Sequence, residues 1–146
     1  MLYADTSALL PYYRGEAASA AVETLLRAQT EPVVISELTR VEFASALARW
    51  VRMGELTELQ ANRIESAFHE DLAEGRFEVA AVTSGVLQRA NHWLVTCRIH
   101  LRALDSMQLA CAEAREASVL ALDEDLLEAA EHLGIPVHRL HSPPDG

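Results

Sequence analysis

Met1-Leu2-Tyr3-Ala4-Asp5-Thr6-Ser7-Ala8-Leu9-Leu10-Pro11-Tyr12-Tyr13 opens the chain. A short apolar run ends on a carboxylate, two hydroxyls follow, and a helix-forming stretch begins. In a parallel α/β sheet, ligands and chemistry sit at the carboxyl ends of the strands. Asp5 therefore reads as a metal ligand, a nucleophile or a helix cap. Two further acids arrive in the same way, Asp105 after Leu101-Arg102-Ala103-Leu104 and Asp123 after Val119-Leu120-Ala121-Leu122.

Outward from these stretches, the chain alternates. Short apolar or β-branched runs predict strands over residues 2–4, 33–36, 77–82, 119–122 and 137–140. Helices are predicted over 7–13, 16–29, 38–52, 57–74, 84–100, 105–117 and 124–133. Thr57 with Gln60 three residues on has the capping-box spacing, and Gly54, Gly75 and Gly134 stand where helices stop. Strands alternating with helices predict an α/β fold with a parallel sheet covered on both faces. We expect one domain over residues 1–141 and a polar tail over 142–146.

Composition narrows the class. A chain of 146 residues, half of them hydrophobic, is one domain with a sizeable core. No apolar run approaches a membrane span, and the N-terminus shows neither a basic region nor a small-residue cleavage site. Cys97 and Cys111 form no CxxC pair, so we expect two reduced, buried thiols in a cytoplasmic protein. All 12 basic residues are Arg, which excludes any mechanism that needs a lysine. A strand-end acid also opens haloacid-dehalogenase phosphatases, but those want DxDxT or DxDxV and a later lysine; Ser7 holds the second Asp position. Phosphoacceptor receiver domains need the same lysine, and no GxxxxGKS or GxxxxGKT phosphate loop is present. The net charge of -10 argues against a generic nucleic-acid binder. It leaves open an enzyme that meets nucleic acid through metal ions, because bound divalent cations reverse the field of an acidic cluster.

Aspartate is scarce: Asp5, Asp71, Asp105, Asp123, Asp125 and Asp145. Asp71 falls in a predicted helix and Asp145 in the tail; the other four sit at strand-to-helix junctions. Each also suits an N-cap, and Asp105 with Gln108 has the capping-box spacing. Asp5 and Asp123 share a crevice if their strands are neighbours. Carboxylates gathered there repel and raise one another's pKa, an arrangement that a hard cation relieves. Glu42 shares a helical stripe with Ser45, Arg49 and Arg52, opposite Phe43, Leu47, Trp50 and Val51. That stripe alone suits a solvated face. The histidines His69, His92, His100, His132, His138 and His141 make no HxH or HExxH spacing and read as surface or structural.

DTSALLPYY (5–13), SELTRVEFASAL (36–47), LRALDSMQLACA (101–112) and VLALDEDLLEAAEHLGIPV (119–137) resemble, in that order, the four blocks of PIN-domain ribonucleases. The likeness is greatest to VapC-type toxins of bacterial toxin-antitoxin modules and covers nearly the whole chain. It implies a single PIN-like domain, a five-stranded parallel sheet flanked by helices on both faces, usually as a homodimer. The family's acids fall on Asp5, Glu42, Asp105 and Asp123, as catalytic residues and metal ligands. The implied activity is a Mg²⁺- or Mn²⁺-dependent endoribonuclease leaving 5′-phosphate and 3′-hydroxyl ends, silenced by a cognate small antitoxin. The alternative is a weak or inactive PIN scaffold that only binds protein. Three positions bear on this. Ala121 replaces a common Thr or Ser, Gln108 stands where a histidine is frequent, and Asp125 lies close enough to assist Asp123.

Partner surfaces are read from the same blocks. Leu9 to Tyr13, with Trp50, Trp93 and Leu94, suit core packing or, as the functional alternative, an antitoxin groove and a dimer face. Arg14, Arg40, Arg49, Arg98 and Arg102 stand near enough to the acidic blocks to hold RNA phosphates.

Overall fold

The computed structural model describes residues 1–15, 18–96 and 100–140. Leu2–Ala4 forms β1, Val33–Ser36 β2, Phe77–Ala80 β3, Ser118–Leu120 β4 and Val137–His138 β5. The strands make one sheet in the order β3-β2-β1-β4-β5, and every pairing is parallel. Helices are Thr6–Arg14 (α1), Ser19–Arg27 (α2), Glu37–Arg52 (α3), Glu58–Ala73 (α4), Ser84–Thr96 (α5), Ala103–Ala114 (α6) and Glu124–His132 (α7). The expected five-stranded parallel α/β architecture is the one observed.

Period-two alternation sorts the core into two layers. Tyr3 and Val34 face one side, where they meet Val86, Ala90 and Trp93 of α5, Leu109 of α6 and Leu126 and Leu127 of α7. Leu2, Ala4, Val33 and Ile35 face the other, against Leu9 of α1, Phe43 and Leu47 of α3 and Phe68 of α4. Tyr13 closes that side, its ring edge-on to both Phe43 and Phe68 at 5.6 Å. Strands buried on both faces are what allow short runs such as Val33-Val34-Ile35 to be apolar throughout.

The order of strands fixes where a site can form. The chain starts in the middle at β1, builds outward to β2 and β3, then returns to the far side of β1 to add β4 and β5. The direction of growth reverses at β1, so the crevice beyond the carboxyl ends of β1 and β4 is the topological switch point.

Local chemistry places the helix ends. Thr57 and Gln60 form the expected capping box, with Thr57 accepting at 3.1 Å from the Gln60 N–H. Ser36 and Thr39 form a second one that starts α3 directly off β2. Gly54 takes φ 75° after α3, a left-handed conformation that favours glycine.

The expected boundaries need several corrections. Among the described residues α5 runs to Thr96, with residues 97–99 of the expected helix outside them, and β3, β4 and β5 stop at Ala80, Leu120 and His138. The helix expected from residue 105 begins at Ala103 with Arg102 as an extended N-cap, and no side chain caps it. Leu101 to Leu104 therefore enter no strand, and Asp105 lies in the first turn of α6, not at a strand end. The Asp105–Gln108 capping box does not form, because both residues are already inside the helix. The expected helix start at 16, Cys97, Arg98 and the tail fall outside the described residues.

Candidate active site

Asp5 follows β1 and is tied to the neighbouring strand, its N–H donating to the Leu120 carbonyl at 2.9 Å. Its Oδ2 accepts from the Ser7 N–H at 3.1 Å, so it caps α1 while standing at the sheet edge. The residue is 7% exposed. Burial pushes its carboxyl up from the ordinary 3.8, hydrogen bonds from Ser7 pull it back, and the charge of Glu42 adds to the rise.

Asp123 follows β4 in the same manner. Both capping bonds, from Asp125 N–H at 3.0 Å and Leu126 N–H at 3.3 Å, use Oδ1, so Oδ2 stands outside the cap. The Ser7 hydroxyl accepts from the Leu122 N–H at 3.0 Å and stitches the start of α1 to the turn that carries Asp123. The two acids are therefore brought together by strand pairing and by this bond. Each is a cap and a crevice residue at once.

Glu42 does not lie on a solvated face. It is half-buried on α3, and its Oε1 accepts from the Thr6 hydroxyl at 3.2 Å and from the Gln108 amide. Asp105 arrives from α6, 3.9 Å from Arg102 Nε. Its carboxyl is raised by burial first, then by the charges of Asp5 and Asp123, with Arg102 opposing.

All four acids line one cleft of about 460 Å³, together with Thr6, Ser7, Arg49 and Arg102. Asp125 is not among its lining residues, although its charge acts on Asp105. Among the described residues, no three His, Cys, Asp or Glu side chains stand close enough together to hold a metal ion. The donor chemistry nonetheless suits a hard divalent cation. Every donor is a carboxylate oxygen, the acids repel one another, and Mg²⁺ keeps several waters and needs only one or two carboxylates directly.

The remaining candidates separate. Arg49 and Arg102 reach the cleft. Arg14 stacks over Trp50 at 3.8 Å and pairs with Glu55, and Arg40 pairs with Glu37. Leu9, Pro11 and Trp93 are core, whereas Leu94 is 42% exposed. The described histidines are all exposed, and Cys111 is a buried free thiol. Ala121 packs into the core beneath the turn. Sequence reading assigned no role to Thr6 or Ser7, although the hydroxyl pair directly after Asp5 was the visible signal. It also missed the contact of Gln108 with Glu42.

Fold and cleft define a class, a parallel α/β domain with an acidic crevice at its switch point. The PIN domain family model matches residues 2–132, and the chain belongs to that family of nucleases. None of the curated proteins matches the sequence. Solved structures share the fold. VapC20 of Mycobacterium tuberculosis, a Sarcin-Ricin loop cleaving toxin, is 18% identical with TM-score 0.68, covering 88% of this chain and 95% of its own. VapBC2 from Rickettsia felis, bound to a DNA fragment from its promoter, is 11% identical with TM-score 0.71 over 97% and 100%. A toxin-antitoxin complex from Klebsiella pneumoniae is 16% identical with TM-score 0.61 over 84% and 87%.

Proposed function

We propose that this chain is the toxin of a toxin-antitoxin pair, a divalent-metal-dependent endoribonuclease that leaves 5′-phosphate and 3′-hydroxyl ends. The observation that carries the reading is the single cleft at the switch point lined by Asp5, Glu42, Asp105 and Asp123. Mg²⁺ or Mn²⁺, held by these carboxylates, would supply an acidified water and neutralise charge at the phosphate. The chain's own residues do the rest. Ser7 and the capping N–H groups aim Asp5 and Asp123, Thr6 and Gln108 hold Glu42, and Arg49 and Arg102 bring positive charge to the RNA phosphates.

The partner reading rests on the groove beside the cleft. Phe43, Ala44, Leu47 and Phe68 line the apolar floor of a groove between α3 and α4 that Glu37, Arg40, Glu65 and His69 rim, and Val41 borders both groove and cleft. An antitoxin helix laid in that groove would deliver an arginine to the acids and compete for the same carboxylates. A homodimer is supported by Leu87, Leu94 and Val95, all exposed on α5. Among the described residues no helix is long and apolar enough to cross a membrane, and the toxin reading carries a cytoplasmic location with it.

Incubation of the purified chain with RNA, with Mg²⁺ or Mn²⁺ and then with excess chelator, tests the function. Cleavage that needs the metal and stops on chelation is expected. Binding to an antitoxin with no cleavage in either metal would favour the inactive-scaffold alternative.

A further inference from the structure

Gln108 lies one turn beyond Asp105 on α6 and is 1% exposed. A primary amide has an acceptor end and a donor end, and its neighbours decide which goes where. The Tyr3 hydroxyl donates to Gln108 Oε1, and the Thr39 hydroxyl donates to the same oxygen at 3.4 Å. Tyr3 is fully buried, and its hydroxyl also lies 3.0 Å from Ser36 Oγ. With Oε1 occupied, Nε2 is turned to Glu42 and donates to its Oε1. Thr6 adds a second donor to that same oxygen at 3.2 Å. Glu42 Oε1 is thus held by α1 and α6, while no hydrogen bond engages Oε2 among the described residues.

We propose that Gln108 is a positioning residue for Glu42. Its amide, oriented by Tyr3 and Thr39, fixes the carboxylate so that Oε2 is presented to a divalent cation in the cleft. The inference rests on the reading of Glu42 as a metal-binding acid. It gives a reason for a polar side chain in the middle of α6, where Leu109, Ala110, Cys111 and Ala112 are all buried and apolar or nearly so. The same chain of contacts begins at Tyr3 on β1, two residues before Asp5, so the strand that carries one acid also sets the aim of another. Groups that orient metal ligands commonly contribute ten- to a hundred-fold to metal affinity.

The test is Mn²⁺ titration calorimetry on the full chain, with urea midpoints measured alongside, for the parent, Gln108→Met, Glu42→Gln and the double variant. Gln108→Met should weaken Mn²⁺ binding by about ten-fold. The double variant should bind no more than about two-fold more weakly than Glu42→Gln, because Gln108 then has nothing left to position. Gln108→Met that loses stability but binds Mn²⁺ like the parent overturns the proposal, and so do additive losses in the double variant. If Gln108→Met does not fold, Tyr3→Phe carries the test, since it frees the amide to turn. A loss of roughly three-fold in Mn²⁺ affinity is expected there, and none overturns the proposal. A parent that neither binds Mn²⁺ nor cleaves RNA sinks the nuclease reading itself. A parent that binds Mn²⁺, with the Gln108 variant unaffected, sinks only the positioning role.

Discussion

The sheet has a cavity at each end, and the two handle charge in opposite ways. At the amino ends of β2 and β3, a cavity of about 360 Å³ is lined by Tyr12, Arg27, Arg76 and Phe77. Its arginines are matched with acids, Arg27 with Glu23 at 2.8 Å and Arg76 with Glu74 at 3.2 Å and Asp71 at 3.4 Å. At the carboxyl ends, the larger cleft gathers four acids against Arg49 and Arg102, and Arg102 comes no nearer than 3.9 Å to Asp105. Paired charge holds Arg76 in its cationic form, whereas burial first, and then the charge of neighbouring acids, drives the carboxyls of Asp5 and Asp105 toward their neutral forms. Helix capping accounts for Asp5 and Asp123 but not for Glu42 and Asp105 beside them, and perturbed groups of this kind concentrate where chemistry occurs.

The largest expected effect separates the two ends directly. Asp5→Asn and Asp105→Asn should each lower metal-dependent RNA cleavage by roughly a hundred-fold. Arg76→Ala, at the other end, should leave it within about two-fold. The change at Asp5 keeps the cap, since Asn caps helices as well as Asp does. Gel-based cleavage rates on one RNA compare all three, and an Asn variant as active as the parent would refute the metal-site assignment.

Val41 sharpens the comparison because it belongs to the acidic cleft and to the apolar groove beside it, and it is 67% exposed. Val41→Arg should weaken antitoxin binding by roughly thirty-fold without unfolding the chain. Pull-down and calorimetry with the cognate antitoxin measure this. Unchanged affinity would move the partner off this groove.

Arg49 comes next. Unlike Arg76, it has no acid partner among the described residues. If it meets RNA, Arg49→Ala should weaken binding by roughly five-fold and flatten the plot of log affinity against log salt by about 0.7 for a single strand. An unchanged slope would mean that Arg49 meets no phosphate.

What the sequence showed of this cleft follows from how local each signal is. Asp5 and Asp123 were legible because strand, acid and helix follow one another within a few residues. Asp105 reads as a third strand end because Leu101, Ala103 and Leu104 before it are apolar. Only the sheet order shows that this segment has no strand partner. The helical period placed Glu42 correctly beside Ser45 and Arg49, but a polar stripe looks the same whether it faces water or a cleft. Tertiary packing decided that. The sequence alone offers no role for Gln108, since its contact with Tyr3 joins positions 105 residues apart. The fold came through more fully than the site because alternation of strands and helices repeats along the chain. Convergence of side chains happens once, and across it.

The smallest expected effect is in stability, and its sign is the telling part. A carboxyl raised by folding binds its proton more tightly in the folded chain than in the unfolded one. Between the ordinary 3.8 and the raised value, the folded chain therefore holds more protons, and stability falls as pH rises through that window. Above the window the loss is complete, and below 3.8 both states are protonated and the loss vanishes. Removing the charge should then stabilise the chain at neutral pH. Asp105→Asn, half-buried and pressed by Asp5 and Asp123, should melt roughly 2–4 °C higher than the parent at pH 7, and the gap should close as the solution is acidified past the ordinary carboxylate range. Calorimetric melting over a pH series, with no divalent cation present, measures it. Saturating Mn²⁺ should narrow the gap from the other side, because a bound cation stabilises only the chain that still carries the ligand. A variant that melts lower than the parent at neutral pH would mean that Asp105 contributes more through its contacts than it loses through repulsion, and the contrast between the two ends of the sheet would then lie in shape and not in charge.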